Sequence, residues 1–248
     1  MCEYNIVFSK AESSMFLMFW KKFEKEIINL KNVSIKNDDD HIMVIFTIKR
    51  GGKGVKQKIT DILVESVVIY YKNKFLEENI TLPEEYTLYK NALCKSLALF
   101  DRLEDITEVK ENFCLTSYLN INSFYFFKLA DVRTRWKSIC DLFKENLDVV
   151  LASDSFVELI KYLISTTEPS CDVALIYIDN AKICIKNNNG EDLTEPINLR
   201  DASSGFLVAN ELISIAPGKI KIKYNSEENT ELTNTIKNLF DEKVVLTT

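Results

Sequence analysis

Apolar residues fall at Leu129, Val132, Trp136, Ile139, Phe143, Leu147 and Val150, alternating steps of three and four that lay one stripe along about seven turns of helix. A stripe of that length must be covered, so it commits the chain to a core in which this helix is a principal member. The pattern predicts one long helix beginning at Ser123. Ala152-Ser153-Asp154 interrupts it, and Ser155-Phe156-Val157-Glu158 has capping-box spacing, which places a hydroxyl and a carboxylate against the first free amides of a second helix. Phe156, Leu159, Ile160, Leu163 and Ile164 give that helix a buried face, and Pro169 cannot continue it. Two β-branched runs, 173–178 and 181–185, then flank Asp179-Asn180, a pair that tolerates the positive φ of a tight hairpin turn.

The residues Asn122-Ser-Phe-Tyr-Phe-Phe-Lys-Leu129, the helix Phe156-Val-Glu-Leu-Ile-Lys-Tyr-Leu163 and the strand 173–178 resemble the central region of the YtxC family of sporulation proteins in endospore-forming bacteria. Downstream, Leu212-Ile-Ser-Ile-Ala-Pro217, Lys219-Ile-Lys-Ile222 and Asn234-Thr-Ile-Lys-Asn-Leu-Phe240 look like that family's C-terminal elements, so the resemblance spans roughly residues 60 to 246. Family members tend to carry Gly-Phe and Arg-Leu where this chain has Ser123-Phe124 and Lys128-Leu129; Lys keeps the charge of that Arg and loses its bidentate fork. The resemblance implies expression during sporulation and a cytoplasmic address, and brings no biochemical activity with it.

A chain of 248 residues, 46% of them apolar, can bury a sizeable core as one large domain or two small ones. A net charge of −6 argues against the chain as a whole binding nucleic acid or anionic membrane, and leaves room for local basic patches. The six cysteines lie far apart with no C-x-x-C pair, as expected of reduced, buried thiols in a cytosolic protein. No basic segment followed by an apolar one marks a signal peptide, and the apolar run at residues 15–20 is far short of the ~20 residues a bilayer requires. No membrane insertion is expected.

From the beginning, a strand at 4–8 leads to Ser9-Lys-Ala-Glu12, again with capping-box spacing, and to a helix striped by Met15, Phe19, Phe23, Ile27 and Leu30. Residues 33–36 and 42–48 form a hairpin around Asn37-Asp38-Asp39-Asp40. A broadly apolar helix runs through Ile59, Leu63, Val67 and Tyr70 to about residue 78, and helices follow after Thr81-Leu-Pro-Glu84 and around Ile106, Val109 and Phe113. Past the second hairpin come a turn at Asn187-Asn-Asn-Gly190, a helix capped by Ser203-Ser204 and stopped at Pro217-Gly218, a strand from Lys219 to Tyr224 whose lysines suit an exposed edge, a helix through Leu232, Ile236 and Leu239, and a strand at 244–246. The predicted fold is α+β: an N-terminal β-α-β-β unit over 1–50, a helical middle over 55–166, and a C-terminal sheet of about four strands with two helices over 171–248, the three either separate or packed as one domain.

Chemical candidates are few. Arg50-Gly51-Gly52-Lys53-Gly54, between a strand and a helix and beside Lys49, Lys56 and Lys58, has the makings of an anion nest, against which a solvated turn is the plainer expectation. Neither Gly-x-x-x-x-Gly-Lys-[Ser/Thr] nor Gly-x-Gly-x-x-Gly occurs, so no cofactor is expected. The only histidine, His41, follows three aspartates in what reads as a solvated turn, not a metal site, and no catalytic set forms around it. The acidic pair Glu227-Glu228 fits a helix start, where the dipole favours negative charge. Arg133 and Arg135 lie off the Trp136 stripe, where they are expected to be exposed and available to a protein partner. The leading expectation is a non-enzymatic interaction or regulatory protein of sporulating cells with a protein partner. The alternatives are an anion- or nucleotide-binding module or enzyme at residues 50–54, and nucleic-acid binding through the same basic stretch, the less expected of the two.

Overall fold

The computed structural model describes residues 1–27, 30, 32–49, 51–152, 155–179, 182–198, 204–223 and 230–247. In chain order the elements are β1 (Cys2–Ser9), α1 (Ser13–Glu26), β2 (Ser34–Asn37), β3 (His41–Ile48), α2 (Lys53–Asn79), α3 (Thr87–Phe100), α4 (Arg102–Asn112), β4 (Tyr118–Asn120), α5 (Ile121–Lys128), α6 (Ala130–Glu145), α7 (Leu147–Val150) and α8 (Ser155–Thr166). They continue with β5 (Cys171–Asp179), β6 (Lys182–Lys186), β7 (Ile197–Asn198), α9 (Ser204–Ile215), β8 (Pro217–Lys223), α10 (Thr230–Phe240) and β9 (Val244–Thr247). The fold is α+β, with two mixed sheets. Ser153, Asp154, Asn180, Ala181, Ser203, Tyr224, Glu227 and Glu228, on which sequence expectations fall, lie outside the described residues.

The chain divides into two units, Met1–Phe75 with Arg102–Cys140, and Leu76–Asp101 with Asp141–Thr248. The helical stretch that the sequence presents as one region is shared between them.

The first unit holds a sheet ordered β2-β3-β1-β4. β1 and β3 pair antiparallel along their whole length, Ile6 opposite Val44 and Tyr4 opposite Phe46, so alternate residues face one way. Ile6, Phe8, Val44 and Phe46 meet Met15, Phe19 and Phe23 of α1 and Ile59, Leu63 and Val67 of α2 in the core. The fourth strand, β4, lies parallel to β1 within the stretch expected to be all helix; at three residues it is too short to display a period.

Two further expectations are corrected here. Ser9 Oγ accepts from the Ala11 amide at 3.3 Å, but Glu12 does not close a capping box: it is buried, and its carboxylate accepts from Tyr71 and Lys74 instead. The single long helix is three. Ile121 and Phe124 are the buried residues of α5, and the next position in that phase is Lys128; carrying α5 straight into α6 would drive a lysine into the core. The chain turns at Leu129 (φ −104°, ψ 26°), and a new helix brings Val132 and Trp136 inward.

The second unit holds a five-stranded sheet ordered β7-β6-β5-β8-β9. β5, β6 and β7 run antiparallel in succession, while β8 is parallel to both β5 and β9 and is reached through α9 and left through α10. β8 is therefore an interior strand, not an edge. Its pattern stands: Ile220 and Ile222 are buried while Lys219 and Lys223 are exposed. The sheet has five strands where about four were expected, because β7 is only two residues long. Helices α3, α8, α9 and α10 pack on one another. All six cysteines are free; Cys94 and Cys140 are buried, whereas Cys2 and Cys114 are exposed.

Candidate functional site

In the first unit, Ser9 and His41 face each other in register at the end of β1 and β3, and β4 delivers Asn120 beside them, paired with Val7. Asn120 caps α5, its Oδ1 accepting from the Ser123 amide at 2.9 Å. These groups, with Asn122, Ser123, Phe126 and Phe127, line a hollow of about 260 Å³. The buried Oδ1 of Asn122 has no hydrogen-bond partner. Phe127 is 80% exposed and Phe126 54%, a large apolar pair left outside the core.

Arg133 ties this patch to the interior. Its guanidinium lies 5.1 Å from the Tyr125 ring centroid and 5.8 Å from that of Phe126, and Nη2 donates to the Phe126 carbonyl at 2.8 Å, closing a free carbonyl of the last turn of α5. Tyr125 stacks face to face on Tyr71 at 4.0 Å. The Tyr71 hydroxyl donates to Glu12 at 2.5 Å, and Lys74 Nζ donates to the other carboxylate oxygen at 2.8 Å. Burial pushes the Tyr71 hydroxyl well above the ordinary tyrosine range, and the Glu12 carboxylate adds to the rise by favouring the protonated phenol.

A second network is buried at its centre and reaches the surface at one end. Asp105 and Lys72 are both at 0% exposure, with Lys72 Nζ 2.8 Å from Asp105 Oδ2, and the Trp136 indole donates to the same oxygen at 3.0 Å. Arg135 bonds to the other Asp105 oxygen and to Glu108. Burial pulls the Arg135 guanidinium down, and the bonds and charges of the two carboxylates outweigh it, leaving it above its ordinary value. Every oxygen of Asp105 is occupied by a donor from another helix, which suits it to holding α2, α4 and α6 in register.

The expectation that Arg133 and Arg135 are freely exposed is thus corrected: both are partly buried and bonded within the unit. Both adopt these positions because α5 and α6 are separate helices, which brings Arg133 back over the end of α5. Of the loop at 50–54, Arg50 lies outside the described residues, and Lys53 and Gly54 belong to the first turn of α2. Gly51 supplies φ 91°, in the region that favours glycine. The amides of Gly52 and Lys53 donate to Lys49 and Gly51 carbonyls at 3.0 and 2.8 Å, so both are committed within the turn. In the Asp38–His41 turn, Asp38 Oδ1 accepts from the Asp40 and His41 amides at 2.9 and 2.7 Å, and those bonds hold the Asp38 carboxyl below the usual carboxylate range.

The Phe126–Phe127 pair escaped the sequence reading, although a signal was present. Phe124-Tyr125-Phe126-Phe127 is an unbroken aromatic run, and at 100° per residue a helix cannot turn all of it inward.

The model of the YtxC-like family matches residues 57–245. No curated protein and no solved structure matches the chain significantly.

Proposed function

The chain belongs to the YtxC-like family, and from that premise we propose a non-catalytic interaction or regulatory protein acting in the cytoplasm of sporulating cells. The observation that carries the proposal is the exposed Phe126–Phe127 pair beside Arg133. Aromatic side chains and arginine are the groups that most often anchor protein interfaces, and Phe127 at 80% exposure has its whole ring to offer. Arg133 contributes by holding the end of α5 in place, so the two aromatic rings are presented on a fixed helix. The hollow next to them, rimmed by Ser9, His41, Asn120 and Asn122, supplies polar groups to orient a partner chain. No helix among the described residues is long and apolar enough to cross a membrane.

The test is photocrosslinking from a reactive amino acid placed at Ser123, in sporulating cells of an endospore former. A specific crosslinked protein is expected, and Phe127→Ser is expected to abolish it while leaving the melting temperature of the purified protein unchanged. A crosslink that persists in Phe127→Ser, or none at all, overturns the proposal. The anion-binding alternative at residues 50–54 has less to draw on, because the amides of Gly52 and Lys53 already donate within the turn.

A further inference from the structure

The chain carries a net charge of −6, yet one face of the second sheet is basic. On β8, Lys219, Lys221 and Lys223 alternate with buried Ile220 and Ile222, so the three lysines share the opposite face. In register beside them on β5 stand Val173, Leu175 and Tyr177. Beyond β5, Leu175 lies opposite Lys186 and Tyr177 opposite Cys184, and Lys182 is exposed on the same strand. The face is thus an apolar and aromatic stripe flanked by three lysines on β8 and, on β6, by Lys182 and Lys186 with Cys184 between them. Lys186 is paired with Asp192 at 3.2 Å, whereas none of Lys219, Lys221 and Lys223 has a carboxylate partner among the described residues. Lys223 Nζ instead sits 5.1 Å from the Tyr177 ring centroid and donates weakly to its hydroxyl at 3.4 Å.

We propose that this face binds single-stranded nucleic acid. Lysines two residues apart on a strand are spaced by roughly 6.6 Å, a row of cations matched to a succession of backbone phosphates. Tyr177 offers a ring on which a base stacks once Lys223 moves from that ring to a phosphate, and Val173 and Leu175 extend the apolar floor. Single strands are held on a sheet in this way, with aromatic rings under the bases and cations along the backbone. β5 and β8 each have a strand on both sides, so their main-chain groups are already paired and an incoming peptide has no edge to extend there. Contact with this face is through side chains, and the side chains present are cationic and aromatic. This inference rests on the second unit and is independent of the Phe127 patch.

Fluorescence anisotropy of the full-length protein with labelled single-stranded DNA and RNA of about 12 nucleotides tests it, with a duplex of the same sequence and a polyglutamate of equal charge as competitors. Single strands are expected to bind, with a log–log salt slope of about −2 for three phosphate contacts. Lys219→Gln, Lys221→Gln and Lys223→Gln together are expected to remove binding, and Tyr177→Leu to weaken it about tenfold with the slope unchanged. Both variants change the open face only and should keep the wild-type melting curve. Absence of binding at low salt, binding retained by the triple variant, or Tyr177→Leu binding as wild type overturns the proposal. Displacement by duplex or polyglutamate as effective as by unlabelled single strand also overturns it, in the second case assigning the face to an acidic protein segment.

Discussion

The two units solve the problem of burial differently. In the first, the buried polar side chains among the described residues are mostly charged: Glu12, Lys72, Arg102 and Asp105, with Ser66 neutral. In the second, the buried polar side chains among the described residues are Ser96, Thr167, Asn210 and Thr233, all neutral. A buried ion pair gives up hydration on both partners and is a weak source of net stability, whereas removing one partner strands the other. The first unit therefore depends on keeping its pairs complete, and the second on the volume and shape of an aliphatic interior built from residues such as Ile176, Ile183, Ile220 and Ile222.

The sharpest way to break that contrast is Asp105→Ala. It removes the carboxylate that the Lys72 ammonium, the Trp136 indole and Arg135 share and is expected to cost about 4 kcal/mol in urea denaturation. Lys72→Met combined with Asp105→Leu should recover more than half of that loss; a double variant as unstable as the single one would mean that the network supplies net stability after all. Next in size, Ile176→Ala in the second unit is expected to cost about 3 kcal/mol by leaving a cavity, with the same value at every pH from about 5 to 8, since no charge is involved.

Tyr71→Phe is expected to cost about 2 kcal/mol near neutral pH, because Glu12 loses a buried donor and keeps only Lys74 among its two. Since the folded-state pKa of Tyr71 lies above the unfolded value of about 10, this contribution is whole below that pH and is lost as pH rises beyond it. The gap between wild type and Tyr71→Phe should accordingly close in alkaline denaturation series. The smallest effect concerns Asp38, whose folded pKa lies below the ordinary 3.8. Its contribution is present above that value and disappears as pH falls through the folded pKa, so Asp38→Ala should be slightly less stable than wild type near neutrality, with the gap closing at the acid end of the stability profile.

The parts of the fold that could be read in advance were those with a period. The Leu129, Val132, Trp136 and Phe143 part of the stripe, the β1–α1–β2–β3 opening and the alternation in β8 appear where expected, because each side chain's direction follows from its neighbours three, four or two positions away, whereas Leu147 and Val150 fall on a separate short helix and are not buried. The candidate site was less legible. Arg133 was singled out, but its role in closing the end of α5 depends on a helix break that comes from a shift of apolar phase, with neither glycine nor proline to mark it. Lys72 falls four residues after Val68 and eight after Val64, on the apolar face of α2, and Asp105 stands beside Ile106 in a four-residue step to Val109; both spacings placed a charge inward, and neither named the partner.

The family match begins at residue 57, after β1, α1, β2 and β3, so three of the four strands in the first sheet lie outside it while β4 lies within. Pairing β1 with β4 joins residues more than a hundred positions apart. By itself the sequence determined the kinds and order of the longer, periodic elements and the faces they bury, because those depend on local dihedral preference and on hydrophobic periodicity, while β4, β7 and the break between α5 and α6 left no period to read. Only the tertiary structure decided that Asp105 meets Lys72, Arg135 and Trp136, that β8 lies inside its sheet, and that Phe127 stays in solvent while Trp136 does not. Those outcomes depend on which distant surface arrives opposite each side chain, and a hydrogen bond or a cross-strand register across a long loop leaves no periodic trace in the chain.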